Sequence, residues 1–323
     1  MAKYLITGIA GFIGSSLARA LVERGEQVRG VDNYLTGKAA NLAGIEGQID
    51  FRESDLRDAA AMRTACEGID YILHIGALPS VPLSVKNPEP SHRCNVDGTF
   101  HVLEGARASG VKRIIYAASS SAYGDQPVLP SNESMRPMPI SPYAVQKLAG
   151  EYYMNSYWQV YGLESVSLRY FNVFGPRQGA DSPYSGVLAK FIQQMLAGTR
   201  PTIFGDGDQG RDFTYIENIV SANLLACAAP ADKVAGKVFN VACGGQHTLK
   251  EIYQLLAGLT GFDRPPLYGP PRTGDILHSQ ADISAAAEAF GYHPVIGVKE
   301  GLERTVEWYR EKLPLASRQS AYR

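Results

Sequence analysis

Tyr143 and Lys147 stand four residues apart in Ser141-Pro142-Tyr143-Ala144-Val145-Gln146-Lys147, and three consecutive serines, Ser119, Ser120 and Ser121, lie upstream of them. On a helix, positions i and i+4 share a face. A free tyrosine, with a pKa near ~10, is a poor base at neutral pH, and an ammonium one turn away would lower that value. A serine hydroxyl can share the hydrogen-bond network of a substrate. Such a trio could take a proton from an alcohol as hydride leaves the same carbon. The departing hydride needs an acceptor, so the chain should also build a place for one.

Residues 3–32 read as that place. Tyr4, Leu5 and Ile6 make a short apolar run of the kind that forms a buried parallel strand. Gly8, Gly11 and Gly14 follow, with Phe12 and Ile13 between the last two, and Ile13, Leu17, Ala20 and Leu21 then recur at helical spacing. A second apolar strand at 27–31 ends in Asp32. Strand, glycine turn, helix and strand make half of a dinucleotide fold. A pyrophosphate sits on free backbone N–H groups at a helix N-terminus, where the dipole favours negative charge. A side chain at Gly8 or Gly11 would hold the phosphate away, and Gly14 lets the helix approach the sheet. Asp32 can accept hydrogen bonds from both ribose hydroxyls and would repel a 2′-phosphate, so NAD is expected rather than NADP. The positive nicotinamide ring would add to the pull of Lys147 on Tyr143.

Strand and helix alternate through the following residues. Loop 33–38 could wrap the adenosine end. Strand 50–52, helix 57–67 and strand 71–74 lead into Ile75-Gly76-Ala77, and Pro79, Pro82, Pro88 and Pro90 mark a loop. Helix 92–109, strand 114–117, helix 143–161 between Pro142 and Gly162, and strand 164–169 complete the pattern. It predicts an α/β fold, a Rossmann-type doubly wound parallel sheet, with ligands beyond the strand ends where His74, Ser119 and Asn172 fall. Past Gly175-Pro176 glycine, proline and aspartate become denser, which reads as a smaller C-terminal mixed α/β substrate lobe. The expected division is 1–178 for the dinucleotide domain, with about 211–243 returning to it, and 179–210 plus 244–323 for the lobe.

Composition narrows the class. The chain has 323 residues, 45% hydrophobic and 20% charged, as in soluble globular enzymes. A net charge of −1 provides no basic surplus for nucleic acid or an anionic membrane. No apolar run approaches the roughly 18 residues of a membrane span. A strand that begins at residue 3 leaves no room for a signal peptide. Cys66, Cys94, Cys227 and Cys243 are scattered, as expected of reduced thiols in a cytoplasmic protein, and give no metal site.

The stretches ITGIAGFIG, DNYLTG, YAASSSAYGD, SPYAVQK, LRYFNVFGPRQ, GRDFTYIENIV and GDILHSQADIS occur in this order, and together they resemble the extended short-chain dehydrogenase/reductase family in its nucleotide-sugar epimerase branch. The resemblance runs from Tyr4 to about Tyr309. It implies that Gly8, Gly11, Phe12, Ile13 and Gly14 hold the pyrophosphate of NAD. It puts Asp32, Asn33, Thr36 and Gly37 on the adenosine ribose and phosphate, and Asp55 and Leu56 beside adenine. Ile75, Gly76, Ala77, Asn95 and Tyr170 fall on the cofactor side. Ser119, four residues before Tyr123, aligns with the catalytic Ser/Thr, beside Tyr143 and Lys147. Ser80, Val81, Ser120 and Ser121 would line the sugar pocket. Phe171 would face the nicotinamide with Tyr170, and Asn172 the substrate diphosphate. Val187 and Leu188 would contact the nucleotide, and Thr202 to Phe204 would bracket uracil. Arg211 and Arg272 suit the diphosphate, because a guanidinium fork matches phosphate oxygens. Pro79 stands where some hexose epimerases of the family carry Lys.

The implied activity is a UDP-sugar 4-epimerase that inverts C4 through a transient 4-keto sugar, with no net use of NAD. Ser279, four residues after Asp275, falls where the family gates the C2 substituent. A small residue there admits an N-acetyl group, so UDP-GlcNAc and UDP-GalNAc are expected, alongside UDP-Glc and UDP-Gal. A UDP-glucuronate 4-epimerase or decarboxylase is the rival; it needs a cation for the C6 carboxylate, and Arg177 is the candidate. A non-catalytic NAD-sensing scaffold would not need Ser119, Tyr143 and Lys147 in register. By analogy, helices 92–109 and 143–161 would pair across a two-fold axis in a homodimer.

Overall fold

Lys3–Thr7 (β1), Gln27–Asp32 (β2), Ile49–Glu53 (β3), Tyr71–His74 (β4), Arg113–Ser119 (β5), Glu164–Tyr170 (β6) and Lys237–Val241 form one parallel sheet. The computed structural model describes residues 1–179, 186–271 and 277–312. Across the sheet the order is Lys237–Val241, β6, β5, β4, β1, β2, β3. Strand order turns back between β1 and β4, so a crevice opens above their C-terminal ends. The register aligns Thr7 with His74, and Ser119 with Tyr170. Tyr170 in turn aligns with Val241.

Side chains alternate across this sheet as a strand period requires. Leu5, Ile72 and Ile114 face one layer with Met62, Val102 and Met154, whereas Ile6, Leu73 and Ile115 face the other with Leu17, Ile192 and Ile219. Each such buried aliphatic side chain is worth roughly 1.5–3 kcal/mol against exposure. The first layer holds Ala59–Cys66 (α2), Gly98–Ala108 (α5) and Pro142–Tyr161 (α6). The second holds Phe12–Glu23 (α1) and the later helices Val187–Leu196, Ile216–Ala228 and Leu249–Thr260.

Two stretches differ from the sequence expectation. The proline-marked stretch forms two short helices rather than a loop, Val81–Lys86 (α3) and Pro88–His92 (α4). Pro82 and Pro88 sit in first turns, where a missing N–H costs nothing. The expected helix 92–109 begins as a wider π turn at Arg93–Asp97 and becomes α-helical at Gly98. Such insertions cluster at functional sites, and this one carries Asn95 beneath the loop that follows β4.

Beyond β6 the chain builds outward through short strand pairs. Val173–Phe174 pairs with Thr214–Tyr215, Gly210–Arg211 with His247–Thr248, and Thr202–Phe204 with Leu267–Gly269. Among the described residues, no helix is long and apolar enough to cross a membrane.

Candidate active site

The glycine turn after β1 is held by backbone contact. Gly8 has φ +68°, in the left-handed region, and a Cβ there would lie 2.7 Å from the Gly76 Cα. A Cβ on Gly14 would stand 2.2 Å from the Gly8 carbonyl oxygen. No side chain caps α1, so its first-turn N–H groups are left without a side-chain partner. Asp32 is buried at the end of β2. Its Oδ2 accepts from the Ala10 N–H at 2.9 Å and its Oδ1 from the Tyr34 N–H at 2.8 Å, and burial raises its pKa. Each oxygen keeps a lone pair for a ribose hydroxyl. Gly37 presses on this carboxylate so closely that a Cβ would lie 2.9 Å from it.

A groove runs from this turn to the far edge of the sheet, lined by Gly8, Asp32, Asn33, Thr36, Asp55, Leu56, Gly76 and Ala77. Asn33 Nδ2 donates to Asp55 Oδ2 at 2.7 Å, and the Arg57 guanidinium holds the Asp55 carboxyl well below the usual range. A glycine cradle with no room for side chains, a helix N-terminus and a ribose-facing carboxylate fit a dinucleotide lacking a 2′-phosphate. His74, at the end of β4, and Asn95, expected on the cofactor side, both lie below this wall. His74 is fully buried, its Nδ1 2.7 Å from Thr7 Oγ1 and its Nε2 2.9 Å from Thr99 Oγ1, and burial lowers its pKa to about 3. It is a neutral tie between β1, β4 and α5. Asn95 is buried too: it accepts from the Leu78 N–H at 2.7 Å and donates to Gln146 Oε1 at 2.8 Å. Instead of facing the groove it braces the loop after β4.

A second cavity of about 420 Å³ opens beyond β5 and β6, lined by Val81, Ser119, Ser120, Ser121, Tyr123, Tyr143, Tyr170, Phe171, Asn172, Arg211, His278 and Ser279. Ser119 ends β5 and caps the tight turn that follows. Its Oγ accepts from the Ser121 N–H at 3.2 Å and the Ser121 hydroxyl at 2.9 Å. Its own hydrogen therefore remains for a partner on the cavity side. Tyr143 opens α6, whose start is fixed by the Ser141 cap and by the Tyr143 N–H donating to Ser84 Oγ at 3.1 Å. The cap alone is worth about 1 kcal/mol.

Lys147 is 4% exposed, one turn along α6. Its Nζ donates to the Ala117 carbonyl at 2.8 Å and lies 4.8 Å from the centre of the Tyr116 ring. The helix can come this close because residue 150 is glycine; a Cβ there would meet the Tyr116 hydroxyl at 2.2 Å. Burial lowers the Lys147 pKa to about 8, against the opposing pull of Cys94 and Glu151. For Tyr143 the outcome differs from the expectation. Burial pushes its phenol up to about 12, and the interaction that opposes this comes from Ser119, not Lys147. The i, i+4 spacing puts the ammonium on the correct face, but in the protein alone desolvation dominates.

Deeper still, Arg169 Nε and Nη2 bind both Glu151 oxygens at 2.9 and 2.7 Å, and the guanidinium carbon lies 4.5 Å from the centre of the Tyr123 ring. Nothing in sequence spacing announced this pair. It ties α6 to β6 and supports the cavity floor.

The remaining expected residues divide. Asn172 is at the cavity, but its Nδ2 donates to the Asp212 carbonyl at 3.0 Å and to Ser279 Oγ at 3.2 Å. Both amide hydrogens are thus used within the protein, and none is left for a diphosphate. Arg211 is anchored through Nη1 to the Gly210 and Leu277 carbonyls at 3.0 and 2.8 Å. Ser80 caps Val81–Lys86. Val187 and Leu188 open their helix away from the described cavity wall, and Leu188 is buried in the core, leaving only its backbone for a ligand. Thr202 and Phe204 lie on the outer strand pair, also off that wall. Arg177 does not reach the cavity; its Nη2 donates to Ser16 Oγ of α1 at 3.2 Å. Arg272 and Asp275 lie outside the described residues. Among the described residues, no group of three His, Cys, Asp or Glu side chains could hold a metal ion.

Known proteins resemble this chain over nearly its whole length. A UDP-glucose 4-epimerase of Mycolicibacterium smegmatis is 38% identical over 314 residues, covering 96% of this chain and 99% of its own. The crystal structure of a UDP-glucose 4-epimerase from Thermotoga maritima with UDP-glucose superposes with a TM-score of 0.92 at 38% identity, over 97% of this chain and 100% of that one. A UDP-N-acetylglucosamine 4-epimerase from Methanobrevibacter ruminantium, in complex with UDP-N-acetylmuramic acid, matches with a TM-score of 0.92 at 37% identity, over 97% and 99%. The model of the NAD dependent epimerase/dehydratase family matches residues 4–242. With its glycine cradle, its parallel sheet and the Ser119, Tyr143 and Lys147 cluster, the chain belongs to that family.

Proposed function

We propose that the protein is an NAD-dependent UDP-sugar 4-epimerase that takes UDP-GlcNAc and UDP-GalNAc, and admits UDP-Glc and UDP-Gal. The observation that carries this is Tyr143 at the cavity wall, acted on by Ser119, with a buried Lys147 cation one turn behind it. Gly8, Gly11, Phe12, Ile13 and Gly14 would hold the NAD pyrophosphate, Asp32 to Gly37 the ribose, and Asp55 and Leu56 the adenine. NAD supplies the hydride acceptor and donor at the sugar carbon.

Each step assigned to the protein is a proton or a position. Ser119 donates its free hydrogen to the substrate oxygen or the phenolate, and orients the C4 hydroxyl toward Tyr143. Tyr143 takes the C4 hydroxyl proton during oxidation and returns it on reduction. Tyr143, whose phenol burial holds near 12, would give up its proton more readily next to a positive charge, and Lys147, fixed to the Ala117 carbonyl, would hold the cofactor ribose. The 4-keto sugar would turn within the cavity, so that reduction occurs on its opposite face.

Ser279 supports the acetylated substrates. Its small side chain lines the cavity, where a bulky one would fill the space of a C2 acetamido group. The glucuronate reading loses its candidate cation, because Arg177 is turned to Ser16. Further support for a homodimer comes from the exposed apolar side chains of α5 and α6, among them Phe100, Val145, Tyr152 and Tyr161. Four free thiols favour a cytoplasmic setting. The test is an NMR assay of the purified protein with UDP-GlcNAc and UDP-Glc in competition, and with UDP-glucuronate in a parallel reaction. Conversion of both, the acetylated sugar included, is expected; conversion of UDP-glucuronate alone, or of no sugar, refutes the reading.

A further inference from the structure

Asp212 takes no part in the chemistry above, yet it is fully buried beside the sugar cavity. Its Oδ1 accepts from the Cys243 N–H at 2.9 Å, and its Oδ2 from the Gly244 N–H at 2.9 Å and the Ala281 N–H at 3.2 Å. Its carbonyl takes Asn172 Nδ2 at 3.0 Å. One residue thus joins three segments that are far apart in the chain: the end of β6, the loop after Lys237–Val241, and the segment that carries Ser279.

Ser279 is anchored on both sides by this arrangement. Its N–H donates to the Gly210 carbonyl at 3.0 Å, and Ala281, two residues on, is held by the Asp212 carboxylate. Gln280 Nε2 adds a bond to the Gly244 carbonyl at 2.9 Å. The Ser279 hydroxyl itself accepts from Asn172, which Asp212 also holds. Around the carboxylate stand the Cys243 thiol and the Tyr292 phenol, the latter donating to the Ala242 carbonyl at 2.8 Å. The neighbouring Arg211 turns its Nη1 to the Gly210 and Leu277 carbonyls. Burial raises the Asp212 carboxyl to about 6 in spite of its three N–H donors. An ionised carboxylate kept out of water without an ion pair is costly, and here it braces the cavity wall.

We infer that Asp212 is a positioning residue that sets the sugar-facing wall of the cavity: its carbonyl holds Asn172, and its carboxylate holds the segment of Ser279 through Ala281 and the loop at 243–244. The inference deepens the substrate reading above and rests on it. The Asp212→Asn variant keeps the shape but replaces one acceptor oxygen with an NH2 group. Because the three N–H donors are divided between both oxygens, at least one of them then faces another donor.

The experiment compares wild type and Asp212→Asn in epimerisation of UDP-GlcNAc and UDP-Glc, with bound NAD measured in the same preparations. The variant should raise KM for UDP-GlcNAc about tenfold, keep kcat within about twofold, retain NAD and flatten the preference between the two sugars. Unchanged KM and preference, or a fall in kcat that tracks lost NAD with KM constant, overturns the inference. Wild type is scored first: if it converts neither sugar, the substrate reading fails, whereas an unaffected variant on an active background defeats the role of Asp212 alone. If the variant does not fold, amide exchange in the wild-type holoenzyme decides. Saturating UDP-GlcNAc should protect the 243–244 and 279–281 amides together; protection at 279–281 alone overturns the inference.

Discussion

The groove beside the glycine turn and the cavity beyond β5 and β6 are built in opposite ways. The groove comes from one strand–turn–helix–strand unit plus the loops after β2, β3 and β4, and its decisive contacts are backbone against backbone: Gly8 on Gly76, and Gly14 on the Gly8 carbonyl. The cavity is assembled from separate segments around Val81, Ser119, Tyr143, Phe171, Arg211 and Ser279, joined by side-chain hydrogen bonds to distant carbonyls and amides. A wall made of backbone contacts has almost no freedom to change and suits an invariant ligand. A wall made of separate side chains can be altered one residue at a time, which suits a site whose substrate varies among relatives.

Substitutions should expose that contrast. The largest effect is expected at Gly14. A Val there would drive its Cβ into the Gly8 carbonyl, destabilising the protein by about 3 kcal/mol or more and leaving it without nucleotide. Denaturant unfolding and the absorbance of released NAD check this; a normal midpoint with full NAD would show that the groove is more yielding than its contacts indicate.

Ser279→Tyr should act only on the cavity. NAD content and UDP-Glc turnover should stay near wild type while kcat/KM for UDP-GlcNAc falls at least about tenfold, as for a filled pocket. Equal losses on both sugars would remove Ser279 as the selective position.

The smallest and most diagnostic effect concerns Lys147. Burial moves its pKa from 10.5 to about 8. The folded protein therefore releases this proton before the unfolded chain does, so the contribution of Lys147 to stability rises with pH between about 8 and 10. Activity should move the other way, with kcat/KM falling as the cation is lost above about pH 8. Lys147→Met should abolish this stability slope, read as the difference from wild type across that range. A variant with the same slope would assign the titration elsewhere.

Sequence legibility followed the same divide. The groove was legible because its logic is local: Gly8, Gly14 and Asp32 lie within one short unit whose spacing reports its geometry. Tyr143 and Lys147 were legible as a pair, since helical spacing puts them on one face. Their electrostatics were not, because spacing says nothing of how deeply a side chain is buried. Gly150 beneath Tyr116, the Asn95 and Gln146 brace, and the Glu151 and Arg169 pair are contacts between distant elements, which no local pattern encodes. The prolines at 82 and 88 misled for a related reason: proline breaks a helix interior but fits its first turn, and position within the turn becomes visible only in the fold. Asn172 was assigned by motif, while its hydrogen bonds to Asp212 and Ser279 depend on residues 40 and 107 positions away.

The central claim is that the Tyr143 phenol carries the proton of the sugar C4 hydroxyl. Tyr143→Phe removes only that oxygen, so the direct measurement is its turnover of UDP-GlcNAc beside its bound NAD. The account predicts kcat lower by about 10³-fold or more with NAD still at wild-type occupancy. Turnover within about tenfold of wild type, with NAD retained, would contradict it.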